Sequence, residues 1–147
     1  MNRAELTELI VANRRRRKLT WAEIATAVGR SKESVTAGCL GQMSFDEAEA
    51  AVLVGLLDLP ADAAGLLTDP PYRGSLPTDV PSDPLIYRFY ELISVYGTTF
   101  KELIQEEFGD GIMSAIDFSM NLEREPHPAG DRVHITMSGK FLPYRRY

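Results

Sequence analysis

An arginine and a glutamate stand three residues apart in the aromatic-rich segment YRFYELISVYGTT, residues 87–99. Residues at positions i and i+3 share one face of a helix, so Arg88 and Glu91 are expected to project together. The planar guanidinium of arginine holds two oxygens of a carboxylate-like anion, whereas the ammonium of lysine acts as a point charge. The pair predicts an anion-binding face, and an ordinary surface ion pair is the competing interpretation.

A serine interrupts a row of apolar residues further along the chain. The alternation over residues 112–123 predicts a half-buried strand whose inward face carries Ile112, Ile116, Phe118, Met120 and Leu122. Ser114 falls in the register of that inward face. A buried hydroxyl without a partner costs about 1–3 kcal/mol, so Ser114 is expected either to hydrogen-bond the backbone or to line a site.

The helices that would carry the arginine and the glutamate are predicted from caps and prolines. Asp83 followed by Pro84 is typical of a helix start, and this helix is expected to end at Gly97. Thr99 has a glutamate three residues later, which is the spacing of a capping box. A second helix is therefore expected from there to about Phe108, followed by a glycine-containing turn.

Two strands and a turn are predicted after these helices. The segment PHPAGD, residues 126–131, has the composition of a turn between the first strand and a second one. A Ser138-Gly139 turn is expected to end the second strand before a short apolar tail. The inward residues of the second strand are predicted to be Val133, Ile135 and Met137.

Short helices are predicted over the first 67 residues. Asn2, Thr20 and Ser44 each precede a glutamate by three residues, which is the capping-box spacing. A further short helix is expected after Pro60. The apolar residues expected to face a shared core are Leu6, Leu9, Ile10, Ala48, Ala51, Val52 and Leu56.

A helix-turn-helix pattern lies within this helical region. Ala25 permits close helix approach, Gly29 supplies the turn, and Val35 packs the second helix back. Sequence-specific DNA binding by residues 31–40 is one interpretation. That segment carries one lysine, a glutamate, and neither arginine nor asparagine for base edges, so a structural role is favoured.

Other reactive or charged residues are given structural interpretations. The basic run Arg14 to Lys18 is expected at a helix end, where cations complement the helix dipole, with phosphate binding as the alternative. Cys39 is expected to be a small buried residue. His127 and His134 have no metal-ligand spacing, so no metal site is predicted.

Composition narrows the class of protein. Hydrophobic residues make up 44% and charged residues 25% of 147 residues, as in ordinary globular proteins. Residues 1–40 carry a net charge of +4 within a chain whose net charge is −5, so strong nonspecific nucleic-acid binding is not expected. The N-terminus lacks a signal-peptide pattern, no membrane segment is apparent, and a single cysteine suits a reducing cytoplasm.

Five of the nine prolines fall in residues 68–84 and separate two regions. The predicted organisation is a helical domain over residues 1–67, a proline-rich linker over 68–83, and a second domain over 84–147. The fold class is therefore α+β, with a helical bundle followed by a small domain of two helices and short antiparallel strands. Two short strands make an inadequate isolated sheet, which predicts pairing with a second chain.

The stretch from Pro81 to Leu142 resembles the C-terminal domain of the cyanase family, also called cyanate hydratase or cyanate lyase. The resemblance rests on the sequence segments DPLIYRFYELISVYGTTFKELIQEEFGDGIMSAIDF and GKFLP. The segments LTWAEIATAVG and CLGQ resemble the helix-turn-helix-like domain that precedes it in that family, where it serves assembly. This resemblance is looser but covers the rest of the chain.

The resemblance implies an enzyme that converts cyanate and bicarbonate to carbon dioxide and carbamate, which then yields ammonia. It implies a catalytic set of Arg88, Glu91 and Ser114, with Ile112 and Leu142 lining the pocket and Arg88 and Ser114 binding substrate. It also implies bicarbonate as co-substrate without a metal or organic cofactor, and a cytoplasmic homodecamer of intertwined dimers with sites at subunit interfaces. The alternative function is a helix-turn-helix DNA-binding regulator whose C-terminal domain senses an anion.

Overall fold

A computed structural model describes residues 1–74, 76 and 78–147. The chain divides into two compact units, Met1–Ser75 and Leu76–Tyr147. The linker predicted over residues 68–83 includes positions 75 and 77, which lie outside the described residues. The predicted domain limits therefore stay predictions.

The described residues of the first unit form five helices: α1 (Arg3–Arg16), α2 (Trp21–Val28), α3 (Lys32–Cys39), α4 (Glu47–Leu57) and α5 (Ala63–Thr68). The capping boxes predicted at Asn2 and Thr20 are confirmed. The cap predicted at Ser44 is wrong, because Asp46 caps α4 and accepts a hydrogen bond from the Glu49 N–H. The preceding residue, Phe45, donates its N–H to the Leu67 carbonyl at 2.9 Å, which keeps it out of the helix.

A hydrophobic core fills the space between these helices. The fully buried side chains of largest volume are Leu6, Ile10, Ile24, Leu53, Leu57, Leu67, Val35 and Cys39. The core positions predicted at Ala48, Ala51 and Val52 on α4 are wrong, because these residues are exposed, whereas Leu56 is half-buried and packs against the core as predicted. Since α4 is apolar nearly all round, its periodicity does not mark a face, and packing against the other helices selects it.

The helix-turn-helix packing predicted from three residues is confirmed. Gly29 adopts a φ of 84°, a left-handed conformation that glycine reaches without strain, and it separates α2 from α3. Ala25 and Val35 are buried where the two helices meet the core. Cys39 is fully buried at the end of α3, as predicted.

One continuous helix, α6 (Pro84–Phe108), opens the second unit. Asp83 caps it and accepts hydrogen bonds from the Leu85 and Ile86 N–H groups. The predicted break at Gly97 and the second helix from Thr99 are wrong. A glycine inside a helix costs only about 1 kcal/mol relative to alanine, which the other residues of a 25-residue helix offset.

An antiparallel hairpin completes the second unit, with strands β1 (Gly111–Glu125) and β2 (Arg132–Pro143). The turn predicted over residues 126–131 is confirmed. The strands are long, 15 and 12 residues, rather than short as predicted. The predicted Ser138-Gly139 turn is wrong, because β2 runs straight through it and Gly139 pairs with Phe118.

A large β-bulge interrupts β1. It lies between Met113, which pairs with Phe141, and Phe118, which pairs with Gly139. Residues 114–117 of β1 therefore lie opposite Lys140 alone. Gly139 permits this geometry, because a Cβ on it would overlap the Ser114 carbonyl oxygen. The glycine thus serves close backbone approach rather than a turn.

The second unit exposes its large apolar side chains. No residue of α6 is buried, and Ser114 is the one buried residue of β1 and β2. Over the described residues, the fold consists of six helices and a two-stranded sheet, which confirms the predicted α+β class. None of the described helices combines the length and apolar character needed to cross a membrane.

Candidate active site

Arg88 and Glu91 lie in the first half of α6, and both side chains are exposed. Neither forms an ion pair with the other or with any other described residue. The competing interpretation, a surface ion pair, therefore does not describe this arginine. The guanidinium has its hydrogen-bond donors available for an external anion.

Ser114 occupies the start of the bulge and is only 5% exposed. Its Oγ accepts hydrogen bonds from the Ile116 N–H at 3.0 Å and the Asp117 N–H at 2.9 Å. Of the two predicted possibilities, the hydroxyl thus bonds the backbone. These two bonds occupy both lone pairs of the oxygen, so its remaining capacity is to donate its own proton.

Ile112 and Leu142 are direct partners across the hairpin. Residues opposite each other in an antiparallel pair lie on the same face, and Ser114 follows Ile112 by two positions on β1. Ile112 is 48% exposed and Leu142 is 41% exposed. These two exposed apolar side chains lie next to the start of the bulge that Ser114 opens.

The two halves of the predicted site are separated within one chain. Arg88 precedes Phe108 by 20 residues, which places it about 30 Å away along the axis of α6. Ser114 follows Phe108 by six residues, and the Phe108 ring lies 5.2 Å from that of Phe141 on β2. One chain therefore brings Ser114 together with the two apolar residues, but not with Arg88.

The bulge itself has no signal in the sequence. Ile116 was expected on the inward face, yet it lies inside the bulge and is 98% exposed. Apolar residues continue at even positions on both sides of the bulge, so the alternation conceals the change of register. Only the pairing with β2 reveals it.

Cys39 is buried in the core, and each of the two histidines contacts a neighbouring group on the hairpin. Burial raises the pKa of the Cys39 thiol to about 12, against a smaller opposing effect of the Arg3 guanidinium. His127 accepts a hydrogen bond from the Ala129 N–H, and His134 Nδ1 lies 3.0 Å from the Glu125 carboxylate. Among the described residues, no three histidine, cysteine or acidic side chains are grouped to hold a metal ion.

Three cationic side chains near the helix-turn-helix form contacts within the first unit. Arg30 pairs with Glu49 at 3.1 Å, and Lys32 pairs with Glu33 at 3.0 Å. In the basic run at the end of α1, Arg14 donates to the Leu19 carbonyl at 2.9 Å and lies 4.7 Å above the Trp21 ring. These contacts agree with the helix-end interpretation of the run.

Comparison with known families covers both units. The family model described as cyanate lyase C-terminal domain matches residues 78–146, and the model described as cyanate hydratase, N-terminal, matches residues 3–71. A cyanate hydratase of Cupriavidus necator is 65% identical over the full length of both chains. A cyanate hydratase of Dechloromonas aromatica is 66% identical, also over the full length of both.

A solved structure shares the fold. The crystal structure of a cyanase from T. urticae superposes with a TM-score of 0.82 and 36% sequence identity, over 94% of this chain and 96% of the other. The agreement of both domain models, full-length relatives and a solved structure leaves one assignment. The chain belongs to the cyanate hydratase family of enzymes, the cyanases or cyanate lyases.

Proposed function

We propose that this chain decomposes cyanate in a bicarbonate-dependent reaction. A bicarbonate oxygen bonds to the cyanate carbon, and the cyanate nitrogen gains two protons, one from the bicarbonate hydroxyl and one from the surroundings. Cleavage of the bond between that oxygen and the former bicarbonate carbon then releases carbon dioxide and leaves carbamate. Carbamate then takes up a further proton and breaks down to ammonia and a second carbon dioxide. The full-length relatives named cyanate hydratase support cyanate as the substrate.

The observation that carries the proposal at the atomic scale is the hydrogen bonding of Ser114. Two backbone N–H groups hold its oxygen, which leaves the hydroxyl proton as a fixed donor. Such a donor suits an anion whose charge increases during reaction, because joining two monoanions creates a dianion. Ser114 therefore donates to cyanate or to the carbamate that forms.

Arg88 is the anion clamp in this proposal. Its side chain is exposed and has no partner among the described residues, so no internal carboxylate competes with substrate. Glu91, one turn along the same helix, orients the guanidinium or transfers the proton. Ile112 and Leu142 exclude water beside Ser114, which strengthens the electrostatic interactions there.

The site is proposed to form between chains, in a homodecamer of five intertwined dimers. The separation of Arg88 from Ser114 along one chain supports this arrangement, as does the unburied apolar surface of α6. One arginine partly offset by a glutamate supplies little charge for a dianion, and arginines pooled from two chains would double it. The assembled chain is placed in the cytoplasm, where its single cysteine stays reduced.

No metal or organic cofactor takes part in the proposed reaction. Addition of a bicarbonate oxygen to cyanate and loss of carbon dioxide change no oxidation state. Bringing two small anions into attacking geometry supplies a large part of the acceleration. Bicarbonate acts as co-substrate.

Ammonia release tests the function directly. Purified protein is given cyanate in carbon-dioxide-stripped buffer, with and without added bicarbonate. Release that requires bicarbonate is the expected result. No release under either condition, from a protein shown to be assembled, would contradict the proposal.

DNA regulation is the alternative function, and the comparisons do not favour it. The ion pairs of Arg30 and Lys32 with glutamates also reduce the positive charge offered around the start of α3. A gel shift on random duplex DNA at low salt is expected to show almost no binding. Tight binding that weakens as salt increases would support a regulator.

A further inference from the structure

Lys140 lies on the same face of the hairpin as the residues proposed to surround substrate. Side chains of a strand alternate between its two faces, so Lys140 and Leu142 share a face of β2. Leu142 pairs with Ile112, which places Ile112 on that face as well. The opposite face carries Phe141, Met113 and Gly139, since a Cβ on Gly139 would meet the Met113 side chain.

Lys140 also has a particular place in the register. It is the single residue of β2 opposite the bulge that runs from Ser114 to Asp117. The backbone segment that holds the Ser114 hydroxyl therefore lies directly across from this lysine. Lys140 was not among the predicted site residues, although its position two residues before Leu142 places it on that face.

The positive charge of Lys140 is not neutralised by any described carboxylate. Its side chain is exposed and forms no ion pair with any described residue, including Asp117, the acidic residue of the bulge. By contrast, Arg30, Lys32 and Arg124 are each paired with a carboxylate. A free ammonium on the strand opposite a hydroxyl donor can supply a point charge to an oxyanion that the hydroxyl binds.

We propose that Lys140 is a further substrate-binding residue, which holds an oxygen of cyanate or bicarbonate next to the Ser114 hydroxyl. This inference rests on the proposed function and adds to it a positive charge on the hairpin itself. Lys140 adds positive charge to a site in which Glu91 partly offsets the charge of Arg88. An ammonium that attracts both the substrate anion and the dianion formed from it lowers KM.

The test compares Lys140→Met with Lys140→Arg in the full-length protein, and uses Lys101→Met as the matched control. Lys101 is exposed on α6 and undergoes the same change of charge. The readouts are kcat and the KM for each anion at low salt, with the assembled mass measured for every variant. The Lys140→Met variant is expected to raise the KM for at least one anion about tenfold, while Lys140→Arg restores most of the affinity and the control stays near wild type.

Ionic strength supplies a readout that a structural role would not move. The KM of the wild type is expected to rise with added salt more steeply than that of Lys140→Met, because screening weakens a charge that the variant lacks. An active wild type whose Lys140→Met variant keeps the same KM would overturn the inference alone, as would a Lys140→Arg variant that is assembled yet equally impaired. A wild type inactive with both substrates would overturn the proposed function as well.

Discussion

The buried Ser114 hydroxyl is hydrogen-bonded to the backbone and still has its own proton available to donate. Its oxygen accepts two backbone N–H groups from the bulge that it begins. Removing it would leave both N–H groups without that acceptor, at a cost of about 1–3 kcal/mol. Arg88 differs, because it is exposed and has no ion-pair partner among the described residues, so its hydrogen-bond donors remain available for an external anion.

Replacement of Arg88 by lysine tests the planar anion clamp. We expect Arg88→Lys to lose at least about tenfold in activity, because lysine keeps the charge but not the two-pronged donor geometry. Assembled mass is expected to stay unchanged. Ammonia release and light scattering measure the two properties.

A matched control for this change is Arg124→Lys on β1. Arg124 pairs with Asp131 at the exposed hairpin end, outside the proposed site. The control is expected to keep its activity. Wild-type turnover by Arg88→Lys would show that the fork geometry is not used.

Cys39 predicts a loss of stability at high pH. Burial raises the pKa of its thiol from 9.0 to about 12, so the unfolded chain releases this proton first as the pH rises. The free energy of unfolding should therefore fall above pH 9, by up to about 1.4 kcal/mol per pH unit. Urea unfolding at several alkaline pH values, compared with Cys39→Ala, measures the effect.

The Cys39→Ala variant is the control for the dependence of the unfolding free energy on pH. It is expected to be less stable at neutral pH, because it leaves a cavity, but to lose less stability as the pH rises. Parallel pH profiles for the two proteins would contradict the assignment of this effect to Cys39.

At the scale of elements, the hairpin depends on an irregularity rather than on regular pairing. Four residues of β1 lie opposite one residue of β2, and Gly139 lets the two backbones approach there. β-bulges re-aim side chains next to active sites. Here the bulge supplies the two N–H groups that hold Ser114.

Replacement of Gly139 by alanine is expected to disturb this bulge. The added methyl would overlap the Ser114 carbonyl oxygen, and relief of such overpacking costs about 1–3 kcal/mol. We therefore expect a lower urea midpoint together with reduced ammonia release. Ser138→Ala, at an exposed neighbouring position, is the control and should change stability by less than about 0.5 kcal/mol. Unchanged stability and turnover in Gly139→Ala would show that the bulge tolerates the methyl group.

At the scale of the whole molecule, the two units differ in how they are stabilised. Every buried apolar residue of the described hydrophobic core lies in the first unit. The second unit presents a 25-residue helix and a hairpin whose apolar side chains are largely exposed. A two-stranded hairpin is marginal alone in water, so a second copy of the chain is the expected cover.

Mixing two impaired variants tests whether sites form between chains. Hybrid assemblies of Arg88→Lys and Ser114→Ala are expected to regain up to about a quarter of wild-type activity, because some interfaces then combine the native arginine with the native serine. Co-expression followed by an ammonia assay measures this. Hybrids of Arg88→Lys with Glu91→Gln are the control and should regain none, since these two residues act from one helix face. Hybrids of the first kind that stay inactive would indicate a site built within one chain.

Short-range sequence patterns determined much of this structure. The caps at Asn2, Thr20 and Asp83, the helix-turn-helix around Gly29, and the hairpin turn over residues 126–131 each depend on contacts between residues close in the chain. Side-chain caps, glycine conformations and alternation encode such contacts directly. The sequence also contains the motifs that resemble the cyanase family, and the comparisons with known proteins confirm that family membership.

Tertiary structure alone decided what depends on residues distant in the chain. Packing against other helices chose the buried face of α4, and the length of α6 carried the helix through Gly97. Pairing with β2 created the bulge that holds Ser114 and placed Lys140 across from it. These outcomes depend on nonlocal packing and register, whose energies a local pattern does not contain.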